Sequence, residues 1–209
     1  IHIIDAELMG KGEKEKKDLY IEGVQNNGII NHYEYIINSE GTIEIRHVLK
    51  PEGKMPLWFP RIGLTLTVSD ALDQVKWYGR GPQENYPDRK TGYPMGIYAS
   101  TVQAMYEPYL MPQDYGLRTD VRWLQLTTDK GIGLQFKMNE WFNFNIYPYS
   151  TDNLTKAMYT YQLQKQKGMT LNLDYATTGV GCTARGVFGA YKAMPQEYRR
   201  TISIRPMMK

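Results

Sequence analysis

The chain has 209 residues, enough for one large β domain or two small ones. Its 25 Lys and Arg against 22 Asp and Glu leave a formal charge of +3, too balanced to select a nucleic acid or an anionic membrane as partner. The single cysteine, Cys182, excludes an internal disulfide, and no apolar run approaches the ~18 residues that a spanning helix needs.

Aromatic residues make up 12% of the chain, led by 17 tyrosines. That bias favours strands and supplies polar-tipped rings for surfaces and sugar contacts. The opening Ile1-His2-Ile3-Ile4 carries no initiator Met and predicts a piece of a longer protein. Residues 1–50 read as two hairpins. Strand candidates at 3–9 and 19–24 flank a mixed-charge connection, residues 10–18, whose signs cancel as on a solvated surface. Residues 29–37 place Tyr33, Tyr35 and Ile37 on one face and His32, Glu34 and Ile36 on the other. A turn at Asn38-Ser39-Glu40-Gly41 leads to residues 42–49, where Ile43, Ile45 and His47 alternate with Thr42, Glu44 and Arg46, so these strands should pair. All three histidines, His2, His32 and His47, fall here. With no Cys or further His to complete a tetrahedron, they predict no metal site.

After a Pro/Gly connection at 51–56, Leu64, Leu66 and Val68 alternate with Thr65 and Thr67 as in a half-buried strand. Val75 and Trp77 lead into residues 77–92, a stretch dense in glycine, proline, aromatics and both signs of charge. Gly79 and Gly81 allow close backbone approach, while Pro82 and Pro87 stiffen the loop. Two chemistries compete there. Glu84 and Asp88 could be the acid and base of a glycosidase, at ~5 Å for retention or ~7–9 Å for inversion. Alternatively Arg80 and Arg89 bond those carboxylates and buried backbone groups, and the loop fastens the domain. The composition favours the fastener. Residues 90–116, punctuated by Pro94, Pro108 and Pro112, read as mostly irregular. Tyr106, Tyr109 and Tyr115 read as filling between loop and sheet, with sugar stacking the alternative.

Residues 117–148 suggest three strands. Val121, Trp123 and Gln125 oppose Arg122, Leu124 and Leu126; after a turn at residues 128–131, Ile132, Leu134, Phe136 and Met138 share a face, as do Phe142, Phe144 and Ile146. Residues 151–163 are the one helical candidate, capped by Ser150 or Thr151, with Leu154, Met158 and Tyr161 at helical spacing. Met169, Leu171 and Leu173 mark another strand, and residues 201–205 a closing one. Period-two patterning repeated through short turns predicts an antiparallel all-β sheet and not βαβ units. Residues 179–191 read as a glycine-rich connector in which Arg185 is a donor and Phe188 and Tyr191 offer flat rings. Cys182 has no nearby histidine to activate it as a nucleophile.

Gly-Arg-Gly-Pro-Gln-Glu-Asn-Tyr-Pro-Asp-Arg at 79–89 resembles the signature of the C-terminal, small-chain (domain 5-type) domain of family-two β-galactosidases. Met105-Tyr106-Glu107-Pro108-Tyr109 and residues 112–123 resemble a second motif of that family. Pro60-Arg61-Ile62-Gly63-Leu64, Asn172-Leu173-Asp174 and Gly179-Val180-Gly181 follow in the family's order. The resemblance covers roughly residues 35 to 205. It implies an antiparallel super-sandwich similar to galactose mutarotase, one domain over 1–209 that is shorter at its N-terminal side than the family's. Its partner is implied to be a (β/α)₈ barrel that holds the catalytic glutamates.

By the same resemblance this chain carries no catalytic residue, and Arg80, Gly81, Pro82, Glu84, Asn85, Tyr86, Asp88 and Arg89 form a structural loop. Residues 179–191 approach the rim of the active site, making Arg185, Phe188 and Tyr191 candidates to touch a galactoside. Well-known members carry a sugar-stacking tryptophan in that segment, whereas here no Trp follows Trp141. Histidines that commonly match Tyr159 and Tyr161 are likewise replaced. The implied parent is a retaining hydrolase of terminal β-galactosides that can need Mg²⁺ or Na⁺, with ligands mostly outside this chain and none expected within it. Exposed sheet edges would favour a homo-oligomer. Two further readings follow from weaker signals: an autonomous carbohydrate-binding module, from the aromatic content, and a mutarotase-like epimerase, from fold similarity alone.

Overall fold

The structure, a computed structural model, describes residues 2–3, 28–182 and 186–208. The strand candidates at 3–9, beyond Ile3, and at 19–24 lie outside the described residues. Ten strands are present among those described: β1 His2–Ile3, β2 Gly28–Ile37, β3 Ile43–Glu52, β4 Arg61–Val68, β5 Gln74–Arg80, β6 Met95–Thr101, β7 Arg118–Thr127, β8 Gly133–Tyr147, β9 Met169–Thr177 and β10 Tyr198–Met207. Every pairing is antiparallel. The fold is an open, sandwich-like all-β architecture, as the period-two patterning requires.

The longest strand, β8, organises the rest. Its first half pairs with β7 on one side and β10 on the other, and β3 and β2 continue outward from β10. Its second half pairs with β9, which hands on to β4 and β1. A branch from β7 through β5 to β6 completes the array. The register of β7 shifts between Arg118 and Val121 and again before Trp123. Such bulges bend a strand and change which side chains face inward. Val121 is therefore buried together with Leu124 and Leu126, although strict alternation puts it on the opposite face.

One apolar core joins the inward side chains of both halves. Leu124, Leu126, Phe136, Ile202 and Ile204 meet Phe144, Leu171 and Leu173, all essentially inaccessible to water. The β2–β3 hairpin forms as its alternation predicts, with Gly41 at φ 76° in the turn. His32 and His47 do not oppose each other: His47 pairs with Tyr33, and His32 with Val48. The buried His47 ring stacks on Tyr33 at 4.1 Å and bonds the Tyr175 hydroxyl at 2.7 Å and Asn31 Oδ1 at 3.0 Å.

Three local expectations change. Within residues 90–116, read as mostly irregular, β6 pairs along the whole of β5, from Gln74–Thr101 to Arg80–Met95. The two strands expected at 132–138 and 142–146 are one, because the polar residues Asn139 and Glu140 interrupt the apolar pattern without interrupting the backbone. The helix spans only Thr151–Lys156 (α1), capped by the Ser150 hydroxyl accepting from Asn153 N at 3.0 Å. It stops where Ala157 turns extended, so Leu154 is buried but Met158 and Tyr161 are exposed.

The opposite face of β8–β9 carries Tyr147, Asn145, Asn172 and Asp174, and is covered by residues 103–117 and α1. Tyr115, Tyr147 and Leu154 form a second buried cluster there, with Tyr106, Tyr109, Tyr149 and Leu163 packed against it. Tyr106 meets Tyr115 edge-on at 5.3 Å, and Tyr115 tilts against Tyr147 at 5.4 Å.

Candidate functional site

β5 delivers its last residue, Arg80, to the base of the 80–92 loop. The Arg80 Nε donates to Asp120 Oδ2 at 2.6 Å and Nη1 to the Tyr93 carbonyl at 2.9 Å. Lys90, at the other end of the loop, donates to Asp120 Oδ1 at 2.6 Å. One carboxylate thus ties both ends. Asp120 occupies the left-handed region at φ 56°, which an Asp tolerates better than most residues. Partial burial pushes its carboxyl upward, but the bonds from Lys90 and Arg80 outweigh that and hold it below the usual carboxylate range.

Within the loop Glu84 is saturated. Its carboxylate accepts from the Tyr86 hydroxyl at 3.1 Å, Arg89 Nη2 at 3.0 Å, Gly116 N at 2.9 Å and the Tyr109 hydroxyl. Burial and the Glu84 carboxylate push Tyr109 up to about 12, so it stays protonated and donates at neutral pH. Asn85, fully buried, donates its backbone N–H to the Leu117 carbonyl at 2.8 Å, and its Oδ1 accepts from Thr119 N at 3.1 Å and from the Thr119 hydroxyl at 2.5 Å. Arg89 also lies over the Tyr86 ring at 5.2 Å. Arg80 bonds Asp120, and neither Glu84 nor Asp88. The expected pairing of both arginines with the loop's own acids therefore holds for Arg89 alone.

Asp88 reaches across the molecule. Its carboxylate accepts from Val180 N at 3.1 Å and Gly181 N at 2.7 Å. The approach is close enough that a Cβ on Gly179 would lie 2.3 Å from Asp88 Cγ, so this position requires glycine. Gly179 N donates in turn to the Tyr191 carbonyl at 2.9 Å, closing the 179–191 segment on itself. The loop and the predicted rim segment, about 90 residues apart in sequence, are thus one assembly through Asp88.

Arg61 anchors the polar face of β8–β9, donating to Asp174 Oδ2 at 2.9 Å and Asn145 Oδ1 at 3.3 Å. Asn145 also donates to Asp114 at 2.8 Å, and Asn172 to Asn145 at 2.8 Å. Burial pushes the Asp174 carboxyl up, to about 6, against the pull of Arg61. Arg118, likewise buried, is lowered to about 10 by the loss of water and remains charged; it lies over the Trp77 ring at 5.5 Å.

Beside the loop lies an open cleft of about 540 Å³. Lys90 and Asp120 line one side, Glu140, Trp141 and Asn143 of β8 another, and Tyr191 a third. Trp141 is 59% exposed and Tyr191 40%. Phe188 is 68% exposed and does not line the cleft. Arg185 lies outside the described residues. Of the two rim candidates among the described residues, Tyr191 lines this cleft and Phe188 does not. Trp141 and Glu140 were not singled out by the sequence. Parity could have found Trp141, which must point out when Phe142, Phe144 and Ile146 point in, but not Glu140, which shares the parity of those inward residues. Among the described residues no three His, Cys, Asp or Glu side chains gather to hold a metal ion.

The sequence model of the beta galactosidase small chain family matches residues 6–204. Proteins named β-galactosidase are similar over much of the chain. That of Priestia megaterium is 38% identical over 147 residues, 70% of this chain, and that of Vibrio cholerae 39% identical over 122 residues, 58% of it. That of Pseudoalteromonas haloplanktis is 34% identical over 148 residues, again 70%. The matched stretch spans only 11–14% of those relatives' own length. With the 79–89 motif built into the sheet as described and nearly the whole length matched, the chain belongs to the β-galactosidase small-chain family.

Proposed function

We propose that this chain is the scaffolding domain of a β-galactosidase, a retaining hydrolase of terminal β-galactosides whose catalytic glutamates lie in a barrel domain outside these 209 residues. Its task is to brace that barrel and to present residues 179–191 at the rim of the active site. The observation that carries the reading is the state of the loop's acids. A general acid or nucleophile must face substrate with a free oxygen. Glu84 meets four donors from its own chain, and Asp88 is occupied by the backbone of the rim segment. Any Mg²⁺ or Na⁺ requirement belongs, on this reading, to the parent's other domains.

Incubating the 209-residue chain with a chromogenic β-galactoside tests it. The expected result is no release above background at any protein concentration. Turnover that rises in proportion to the chain and disappears in Glu84→Gln would overturn the proposal.

A further inference from the structure

The two ends of the 179–191 segment are pinned to the fold without any help from the 80–92 loop. Thr178 N donates to the Pro60 carbonyl at 2.9 Å, and the Thr178 hydroxyl to the Phe59 carbonyl at 2.6 Å. That hydroxyl oxygen accepts in turn from Ala193 N at 2.9 Å, and Phe59 N donates to the Ala193 carbonyl at 2.9 Å. With Gly179 N on the Tyr191 carbonyl, the neck is closed and its place on the sheet is set. The heading of the chain beyond Gly179 is not set by these bonds.

That heading is governed by Asp88. Its two carboxylate oxygens take the successive N–H groups of Val180 and Gly181, at 3.1 and 2.7 Å. Consecutive amides converging on one anion form a nest, and Gly181 supplies the left-handed residue at φ 65°. Among the described residues no other side chain bonds the backbone of Val180 or Gly181. The grip has no slack. Asp88 stands in the tight turn closed by the Tyr86–Arg89 bridge, and Arg89 is tied to Glu84. On the far side Gly179 leaves no room for even a methyl group. A bond from Asp88 is superfluous for holding a neck already pinned elsewhere. For orienting the chain that leaves the neck it is decisive.

We propose that Asp88 is a positioning residue for the parent's reaction: its grip on Val180 and Gly181 sets how the 179–191 segment meets the substrate, and thereby the affinity for it. This rests on the reading that places the segment at the active-site rim. Asp88 itself touches no substrate. A contact made equally in ground state and transition state moves KM and leaves kcat, and a misplacement of about 1 Å can cost up to about 10²-fold.

The test is steady-state kinetics of the complete gene product on a chromogenic β-galactoside, with hydrogen exchange of a peptide spanning residues 178–182 read beside it. Asp88→Ala should raise KM at least about tenfold with kcat within about threefold, and the peptide should lose protection. Asp88→Asn keeps one acceptor oxygen and should raise KM only about threefold; it carries the test if the alanine variant does not fold. Gly179→Ala, which drives a Cβ into the Asp88 carboxyl, should raise KM about tenfold alone but less than about twofold on top of Asp88→Ala, because the group it strikes is gone. Ser150→Ala removes the cap of α1 and destabilises the fold elsewhere, and should leave KM unchanged. Protection retained in Asp88→Ala, or effects of Asp88→Ala and Gly179→Ala that multiply, would overturn the role of Asp88 and leave the rim placement standing. Protection lost with KM and kcat within about twofold would overturn the rim placement and the proposal with it. An equal rise of KM in Ser150→Ala would reduce Asp88 to a fastener.

Discussion

The 80–92 loop and the Trp141 cleft are built from the same materials and adjoin through Asp120 and Lys90, yet they treat their functional groups in opposite ways. In the loop each carboxylate points at donors of its own chain, Glu84 at two tyrosines, an arginine and a backbone amide and Asp88 at two backbone amides, while Asp120 of β7 takes Arg80 and Lys90 from the loop's ends. In the cleft much of the aromatic surface is left in water, with Trp141 covered by Arg122 on one face and Tyr191 partly exposed. The lesson is that residue type does not separate structure from binding. Saturation does: a buried acid with all its oxygens occupied stabilises, and an ordered ring with a free face is available to a ligand.

The sharpest way to break this contrast is to empty the loop's centre. Glu84→Ala removes an acceptor of four bonds and leaves Arg89, two hydroxyls and an amide without it, so it should cost about 3 kcal/mol of stability in urea denaturation. A loss under about 1 kcal/mol would mean the loop does not fasten the domain. Gly179→Ala forces a Cβ against Asp88 and should cost about 2 kcal/mol. Its signature is local: hydrogen-exchange protection of the Val180 and Gly181 amides should drop while the amides of β9 keep theirs.

His47 extends the contrast to pH. Burial lowers its imidazole to about 4 from an ordinary value near 6.5, so the folded state holds it neutral while the unfolded chain takes up a proton. Its contribution is complete above pH 6.5 and is lost as the pH falls towards 4, by about 2 kcal/mol after allowance for screening. His47→Gln should flatten that part of the stability profile; an unchanged slope would contradict the assignment. The smallest effect belongs to the cleft. Trp141→Ala should move stability by no more than about 0.5 kcal/mol, although it deletes the largest side-chain type in the protein, because most of the ring is exposed and its cation–π contact with Arg122 lies at the surface.

Much of the sheet was legible because apolar and polar residues alternate along β3, β4, β9 and β10, although β9 buries both its faces, the polar one beneath residues 103–117. Where alternation is weak the sequence misleads. β6 exposes Ile97 and half-buries Tyr98, so its pattern carries little signal and only pairing with β5 makes it a strand. The β7 bulges exchange faces at Val121, a shift no local pattern encodes. That the loop would be rich in hydrogen bonds was legible from its composition, but its partners were not: Arg80 finds Asp120 forty residues on, and Asp88 finds Gly181 at a distance of 93. Such contacts are set by the fold and not by spacing. The cleft went unnoticed because Trp141 stands alone in sequence, and its setting depends on Arg122 and Tyr191 arriving from other elements.

The central claim is that the acids of this loop hold the domain together and do no chemistry. The most direct test is the turnover of the complete gene product carrying Glu84→Gln, assayed on a β-galactoside well below its melting temperature, with Tm recorded beside it. The account predicts a lowered Tm with kcat and its pH profile within about twofold of the unsubstituted protein. An unchanged Tm with kcat reduced about 10³-fold or more, on the scale of a lost acid–base or nucleophilic group, would contradict it.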